Sequence, residues 1–164
     1  MPDDNRAAAQ FIPLAKALNR VAQVCGHPFT MRTQPGRFRI QKAAYLLKHL
    51  GYPPALGYSF NIYHMEPYSP ELARAYYQLE DHGIRAAGVA TDVPGTVLDV
   101  IADALDHEDP LLEGLTTLLD IWKESHSMPI ALRQARAIKP HLSEPTWAEV
   151  RSFLKTHPGL TAAT

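Results

Sequence analysis

The spacing of apolar residues along the chain predicts a mainly helical protein. Apolar side chains recur every three or four residues between positions 7 and 24, and the stretch from 37 to 50 reads as a second helix. Ser69, Pro70 and Glu71 stand in the order typical of a helix start, and that helix is expected to end at Gly83. Further helices are predicted over residues 97–105, 109–122, 130–138 and 146–157.

One segment has a different pattern. Residues 58–65 alternate aromatic or aliphatic side chains with polar ones, which predicts a strand that ends at residues 66–68. Residues 84–90 are predicted to be a loop that could include a short strand. The expected fold is a compact helical domain with a short extended element or small β-wing, followed by a C-terminal helical extension. Residues 1–90 would form the first domain, and the helical region 91–164 would pack on it as one globular unit.

Composition narrows the choice of partners. The 164 residues include 16 Lys and Arg against 17 Asp and Glu, a formal net charge of −1. That balance excludes a strongly basic nucleic-acid coat but leaves room for a local basic patch. A single cysteine, Cys25, precludes a disulfide within the chain and suits a reducing compartment. The polar start of the chain does not resemble a secretory signal, and no stretch is apolar enough to span a bilayer, so we expect a cytoplasmic protein.

Enzyme and metal-site motifs are missing from the sequence. It contains no phosphate-binding glycine loop, no GxSxG, no HExxH and no CxxC. The eight histidines are scattered singly, which favours solvated helix-end residues over metal ligands. Asp99, Asp103 and Asp106 line one helical face and are interpreted as a solvated acidic surface, and Cys25 as a small buried thiol. We therefore expect no enzyme, no metal and no cofactor.

Residues 37–80 carry an unusual density of cations and aromatic rings. On the predicted helix, Phe38, Lys42, Tyr45 and His49 share one face, and five tyrosines follow between residues 58 and 77. Two interpretations stay open at this stage. The tyrosines either hydrogen-bond within the fold and join neighbouring helices, or they form a recognition surface, since tyrosine combines a large apolar ring with a hydroxyl.

Two motifs in this segment resemble known families. Gln41-Lys42 and Tyr45 match a helical LQK-x-x-Y-like motif, and Pro67-Tyr68-Ser69 match a G-P-Y/V-S motif that opens the next helix. Together they resemble the YwgA-like proteins and, more distantly, the Panacea (SocA-like) antitoxin domain, over roughly residues 8–88. Glu66 stands where these families usually have glycine. The resemblance implies a compact helical domain, sometimes winged-helix-like, and, for Panacea members, a non-enzymatic role in neutralising a toxin or delivering it to a protease.

The main hypothesis is thus a non-enzymatic protein-binding module, antitoxin-like or part of a prokaryotic defence or stress system. Its predicted binding residues are Arg37, Gln41, Lys42, Tyr45, Tyr63, Tyr68 and Ser69. The alternative is a winged-helix-like regulator that binds nucleic acid through Arg32, Arg37, Arg39, Lys42 and Lys48. Homodimerisation through the apolar residues Leu111, Leu115, Leu118, Leu119 and Trp122 is a further option.

Overall fold

The computed structural model describes residues 2–63 and 66–162, and leaves undescribed the side chains of residues 2–5, 62, 63 and 66. In these ranges the fold is mainly helical, as the apolar spacing predicts. The elements in chain order are α1 (Pro2–Cys25), α2 (Gln34–His49), α3 (Pro53–Leu56), β1 (Asn61–Tyr63), β2 (Glu66–Tyr68), α4 (Pro70–Ala86), α5 (Gly95–Leu105), α6 (Asp109–Ser125), α7 (Met128–Ile138), α8 (Glu144–Thr156) and a 3-10 turn (Pro158–Thr161).

Four helices begin in the same way. In α2, α4, α7 and α8 a serine or threonine side chain caps the helix by accepting a hydrogen bond from the amide three residues later, and a proline occupies the first or second helical position. A proline is favourable there because the first-turn amides have no partner within the helix. The capping residues are Thr33, Ser69, Ser127 and Ser143. The Ser69 start is confirmed, whereas α2, α7 and α8 each start earlier than predicted.

The loop before α2 is tied to α4 by one buried carboxylate. Asp81 accepts hydrogen bonds from the Thr30 hydroxyl at 2.6 Å and from the Met31 amide at 2.7 Å. Burial raises the pKa of Asp81, but these two hydrogen bonds and the nearby charge of Arg32 outweigh burial, and the net pKa lies below its usual value. Gly36 completes the packing, because a Cβ there would lie 2.1 Å from the Thr30 carbonyl oxygen.

Helix α4 continues past its predicted end. Helical structure reaches Ala86 instead of ending at Gly83, but it consists of two segments that meet at a kink at Glu80, where φ is 57° and ψ is 176°. Burial explains the continuation, since Ile84 is only 1% exposed and belongs to the core.

The side chain of Asn19 in α1 holds this end of α4 in place. Its amide donates to the carbonyl oxygens of Ile84 and Gly88, both at 2.8 Å. The predicted loop or short strand over residues 84–90 is therefore wrong in its first part, which is helical.

The extended element is an antiparallel hairpin. Asn61 lies opposite Tyr68, residue 62 opposite Pro67, and residue 63 opposite residue 66. Residues 66–68 therefore form the second strand, not the end of the first as predicted. His64 and Met65, which the sequence pattern assigned to the strand, lie outside the described residues.

One hydrophobic core runs through the described part of the chain. Helices α5 and α6, which follow residue 94, pack against α1 and α2 of the preceding half. The leucines considered for a dimer surface belong to this core: Leu111, Leu115, Leu118 and Leu119 are each at most 1% exposed. They therefore offer no apolar face to a second copy. Within the described residues, no helix is both long and apolar enough to cross a membrane.

Candidate binding face and the buried network beneath it

Gln41 joins α2 to the start of α4. Its side-chain amide donates to the Ser69 carbonyl oxygen at 2.9 Å, and its side-chain carbonyl accepts from the Ser69 amide, also at 2.9 Å. This paired geometry imitates the hydrogen bonds between two backbone strands. Both residues are buried, Gln41 at 2% exposure and Ser69 at 0%. Ser69 thus caps α4 with its side chain while its backbone is held by α2.

Lys42 is also an interior residue, at 1% exposure. Its ammonium group donates to the Pro67 carbonyl oxygen at 2.7 Å and lies 5.1 Å from the centre of the Phe38 ring. Lysine is almost never fully buried unless its charge is matched by partners. In this position Lys42 fastens strand β2 to helix α2.

Tyr45 connects α2 to α6. The Tyr45 hydroxyl donates to the Asp120 carboxylate at 3.3 Å, and its ring contacts Phe60 edge-on with centres 5.5 Å apart. Burial raises the pKa of Tyr45 far above its usual value, and the neighbouring Asp120 charge adds to the effect. Burial likewise raises the pKa of Asp120. One turn further, burial lowers the pKa of His49, whose Nε2 donates to the Leu160 carbonyl oxygen at 2.5 Å.

The network reaches solvent through a pair of adjacent tyrosines on α4. Tyr76 is 1% exposed, and burial raises the pKa of Tyr76 to about 12. The Tyr76 hydroxyl accepts a hydrogen bond from the Gln41 side-chain amide at 3.5 Å and is also hydrogen-bonded to Tyr68. The Tyr76 ring lies 5.3 Å from that of Tyr77, which is 53% exposed. The Arg37 guanidinium stands over the Tyr77 ring at 5.9 Å from its centre and donates to a carbonyl oxygen of the preceding loop at 2.9 Å.

The predicted binding residues therefore divide into two groups. Gln41, Lys42, Tyr45 and Ser69 are interior and hydrogen-bonded, so they hold the scaffold together and cannot touch a partner of the folded protein. Of the two interpretations of the tyrosines, internal bonding applies to Tyr45, although its partner is α6 and not the helix that starts at Ser69.

Arg37 and Tyr68 keep part of their surface accessible. The side chain of Tyr63 lies outside the described residues. Arg37 lies over Tyr77, which sequence reasoning left out of the site, and contacts the loop that carries Arg32, which the sequence assigned only to the nucleic-acid alternative. We call Arg32, Arg37 and Tyr77 the Arg-Tyr face. Arg32 has a side chain that is 76% exposed and lies 3.7 Å from the buried Asp81 carboxylate. In the sequence, only the consecutive pair Tyr76-Tyr77 indicated an exposed tyrosine here, because adjacent side chains on a helix point in different directions.

Most cations proposed to contact nucleic acid are engaged within the chain. Arg39 pairs with Asp109 at 3.0 Å and also donates to the Leu105 carbonyl oxygen. Lys48 donates to the Tyr58 carbonyl oxygen, and Lys42 is buried. Arg37 donates to the Met31 carbonyl oxygen, and Arg32, although 76% exposed, lies 3.7 Å from Asp81, so these five residues offer little uncommitted charge to a phosphate backbone.

The residues with potential for catalysis or metal binding do not converge. Among the described residues, no three or more His, Cys, Asp or Glu side chains are arranged to hold a metal ion. Asp103 accepts a hydrogen bond from His157 at 2.6 Å, which ties α5 to the end of α8. Cys25 is half-buried, with its sulfur 3.6 Å from the His27 carbonyl oxygen. The His157–Asp103 hydrogen bond therefore holds neighbouring segments together, and neither this bond nor the position of Cys25 indicates a catalytic site.

No protein-family model, curated protein or solved structure matches this chain.

Proposed function

We propose that this protein is a binding module that acts by contact with another protein, and that the Arg-Tyr face is its contact surface. The observation that carries the proposal is the half-exposed Tyr77 ring held under the Arg37 guanidinium. Tyrosine and arginine, together with tryptophan, are enriched at the energetic centres of protein interfaces, and a preformed pair loses little conformational entropy on binding.

The charges of this face favour an acidic partner. Arg32 and Arg37 are both at least partly exposed, and the Asp81 carboxylate, 3.7 Å from Arg32, is buried and accepts hydrogen bonds from Thr30 and Met31. Arginine forms bidentate hydrogen bonds with carboxylates, so an acidic segment of a partner would fit both guanidinium groups. Because these charges lie at an accessible rim, they should steer association and weaken with salt.

The biological role that we propose is antitoxin-like, or that of a component of a prokaryotic defence or stress system. Two things support it: the resemblance of the Gln41-Lys42 and Pro67-Tyr68-Ser69 motifs to the YwgA-like and Panacea families, and the placement of those motifs. The motif residues hold α2, β2 and α4 together beneath the Arg-Tyr face. In this proposal the residues of the two motifs stabilise the fold, and the exposed residues of the Arg-Tyr face select the partner.

The test compares two double variants of the tagged protein in its native host. Arg37→Gln with Tyr77→Ser alters the proposed face, and Arg133→Gln with Ile130→Ser is the matched control, because Arg133 and Ile130 are exposed residues on α7. A partner that co-purifies is then produced alone, and its affinity is measured with both variants. We expect the face variant to bind at least about tenfold more weakly and the control to bind like wild type.

Further measurements decide the role. An antitoxin's partner should arrest growth when expressed alone, and co-expression of the wild-type protein, but not of the face variant, should restore growth. Equal affinity of both variants for the purified partner would refute the proposed surface. Salt-sensitive binding of duplex DNA that is lost in the face variant would favour the nucleic-acid alternative over a protein partner.

A further inference from the structure

A cleft separate from the Arg-Tyr face lies between the start of α1, α3 and the first turns of α4. It has a volume of about 430 Å³, and two prolines of α3 form part of its wall. The polar residues that line it are Arg6, Gln10, Tyr58, Glu71 and Arg74. A volume of this size is in the range of clefts that hold small ligands.

Tyr58 contributes a hydroxyl group that is unpaired in the part of the chain that the structure describes. The residue is 8% exposed, and its hydroxyl has no hydrogen-bond partner among the described residues. Buried polar groups without a partner are rare in folded proteins, because leaving one unpaired costs stability. Burial and then the charge of Glu71 raise the pKa of Tyr58 to about 12, so the hydroxyl keeps its proton and is a donor at neutral pH.

The two arginines of the cleft also lack partners among the described residues. Arg6 and Arg74 are exposed, and neither has a hydrogen bond or an ion pair to another described residue. Two guanidinium groups and the single carboxylate of Glu71 give the lining a net charge of +1. This net positive charge favours an anion, and the proline wall beside the guanidinium groups favours an organic anion over inorganic phosphate.

We infer that this cleft binds a monoanionic carboxylate, with the Tyr58 hydroxyl and the guanidinium groups of Arg6 and Arg74 as donors to its oxygens. The planar guanidinium fork matches the geometry of a carboxylate, and the proline wall provides an apolar surface for the remainder of the ligand. The carboxylate could belong to a free organic acid or to the C-terminus of a polypeptide, and the two sources share this chemistry.

The test is a titration of the purified full chain at low salt, followed by calorimetry and by amide chemical shifts. The probes are sodium benzoate, a short acetylated alanine-glycine peptide with a free C-terminus, the same peptide with an amidated C-terminus, and inorganic phosphate. We expect saturable binding of benzoate or of the free-carboxylate peptide, with shifts confined to the cleft. The tighter of these two probes identifies the source of the carboxylate.

Three variants assign the donors. Tyr58→Phe and Arg74→Gln should each weaken binding about tenfold, since a hydrogen bond to a charged group is worth about that factor. Arg133→Gln, an exposed arginine on α7, should bind like wild type. Tyr58→Phe should also unfold no more easily than wild type, because its hydroxyl has no partner to lose.

The inference fails if neither carboxylate probe saturates below roughly 20 mM, which is weaker than small-ligand sites require. It fails equally if phosphate binds as tightly as benzoate, or if Tyr58→Phe and Arg74→Gln leave the affinity unchanged. None of these results depends on the Arg-Tyr face, so the inference and the proposed function are tested separately.

Discussion

The pairing of Gln41 with the backbone of Ser69 makes a sharp prediction about stability. Replacing Gln41 with Met keeps the length of the side chain and removes both its donor and its acceptor. The Ser69 carbonyl oxygen retains a hydrogen bond from the Ala73 amide at 3.1 Å. The Ser69 amide, which donates to Gln41 at 2.9 Å, loses that acceptor in a position that is 0% exposed.

The expected magnitude follows from these two bonds. Leaving one buried amide unpaired costs about 1–3 kcal/mol, and losing the second, partly compensated bond costs about 1 kcal/mol. The free energy of unfolding should therefore fall by about 2–4 kcal/mol. For a chain of this size that is a large part of a total stability of about 5–15 kcal/mol.

Urea unfolding followed by circular dichroism measures the change. With a denaturant slope of about 2 kcal/mol per molar, the midpoint should fall by about 1–2 M while the slope stays the same. Gln78→Met is the matched control, because Gln78 is an exposed residue of α4, and its effect should stay within about 0.5 kcal/mol. A Gln41→Met protein as stable as the control would refute the reasoning, since the pairing would then contribute nothing.

Two further predictions concern strain and protonation. Glu80 has φ 57° and ψ 176°, a backbone conformation that glycine adopts readily and other residues rarely do. Glu80→Gly should therefore raise the free energy of unfolding by about 1 kcal/mol in the same urea assay, and Glu80→Ala should not. Equal effects of the two substitutions would argue against backbone strain at this position. Because burial lowers the pKa of His49 below 6.5, the unfolded chain takes up its proton at a higher pH than the folded chain, and stability should rise with pH up to about 6.5 and then level off. A His49→Gln variant should flatten that rise, and an unchanged slope would assign it to other groups.

The helices could be predicted from the sequence because their signals are local. Apolar spacing found every long helix of the described chain, and Ser69-Pro70 gave the start of α4 correctly. Three starts were placed too late, and in each of these helices a proline stands two residues after the capping residue, which is Thr33, Ser127 or Ser143. The structure uses those prolines inside the first turn, where a missing amide has no cost.

The orientation of α2 could not be predicted in the same way. Spacing correctly placed Lys42 and Tyr45 on one face, but which side of a helix turns inward depends on distant segments. Here those segments are β2, which supplies the Pro67 carbonyl oxygen to Lys42, and α6, which supplies Asp120 to Tyr45. A lysine is normally a surface residue, so its burial contradicts the usual expectation and requires the structure.

The sequence also could not predict that the Tyr58 hydroxyl has no hydrogen-bond partner among the described residues. The environment of this hydroxyl combines α1, α3 and α4, which are far apart along the chain. Alternation of side chains indicated only that Tyr58 belongs to an extended segment next to a buried face. Whether a buried hydroxyl has a partner depends on exact distances, and no residue pattern specifies those.

The interior network and the exposed face are physically connected, and this gives the motif residues an indirect role in recognition. Gln41 lies within hydrogen-bond distance of the Tyr76 hydroxyl at 3.5 Å, and the Tyr76 ring contacts that of Tyr77. Tyr77 in turn lies beneath Arg37, which belongs to the same helix as Gln41. A change at Gln41 therefore acts on the face through the spacing of α2 and α4, whereas a change at Tyr77 removes a contact and leaves the packing intact. Partner affinity should thus respond to Tyr77 without loss of stability, and to Gln41 only together with such a loss.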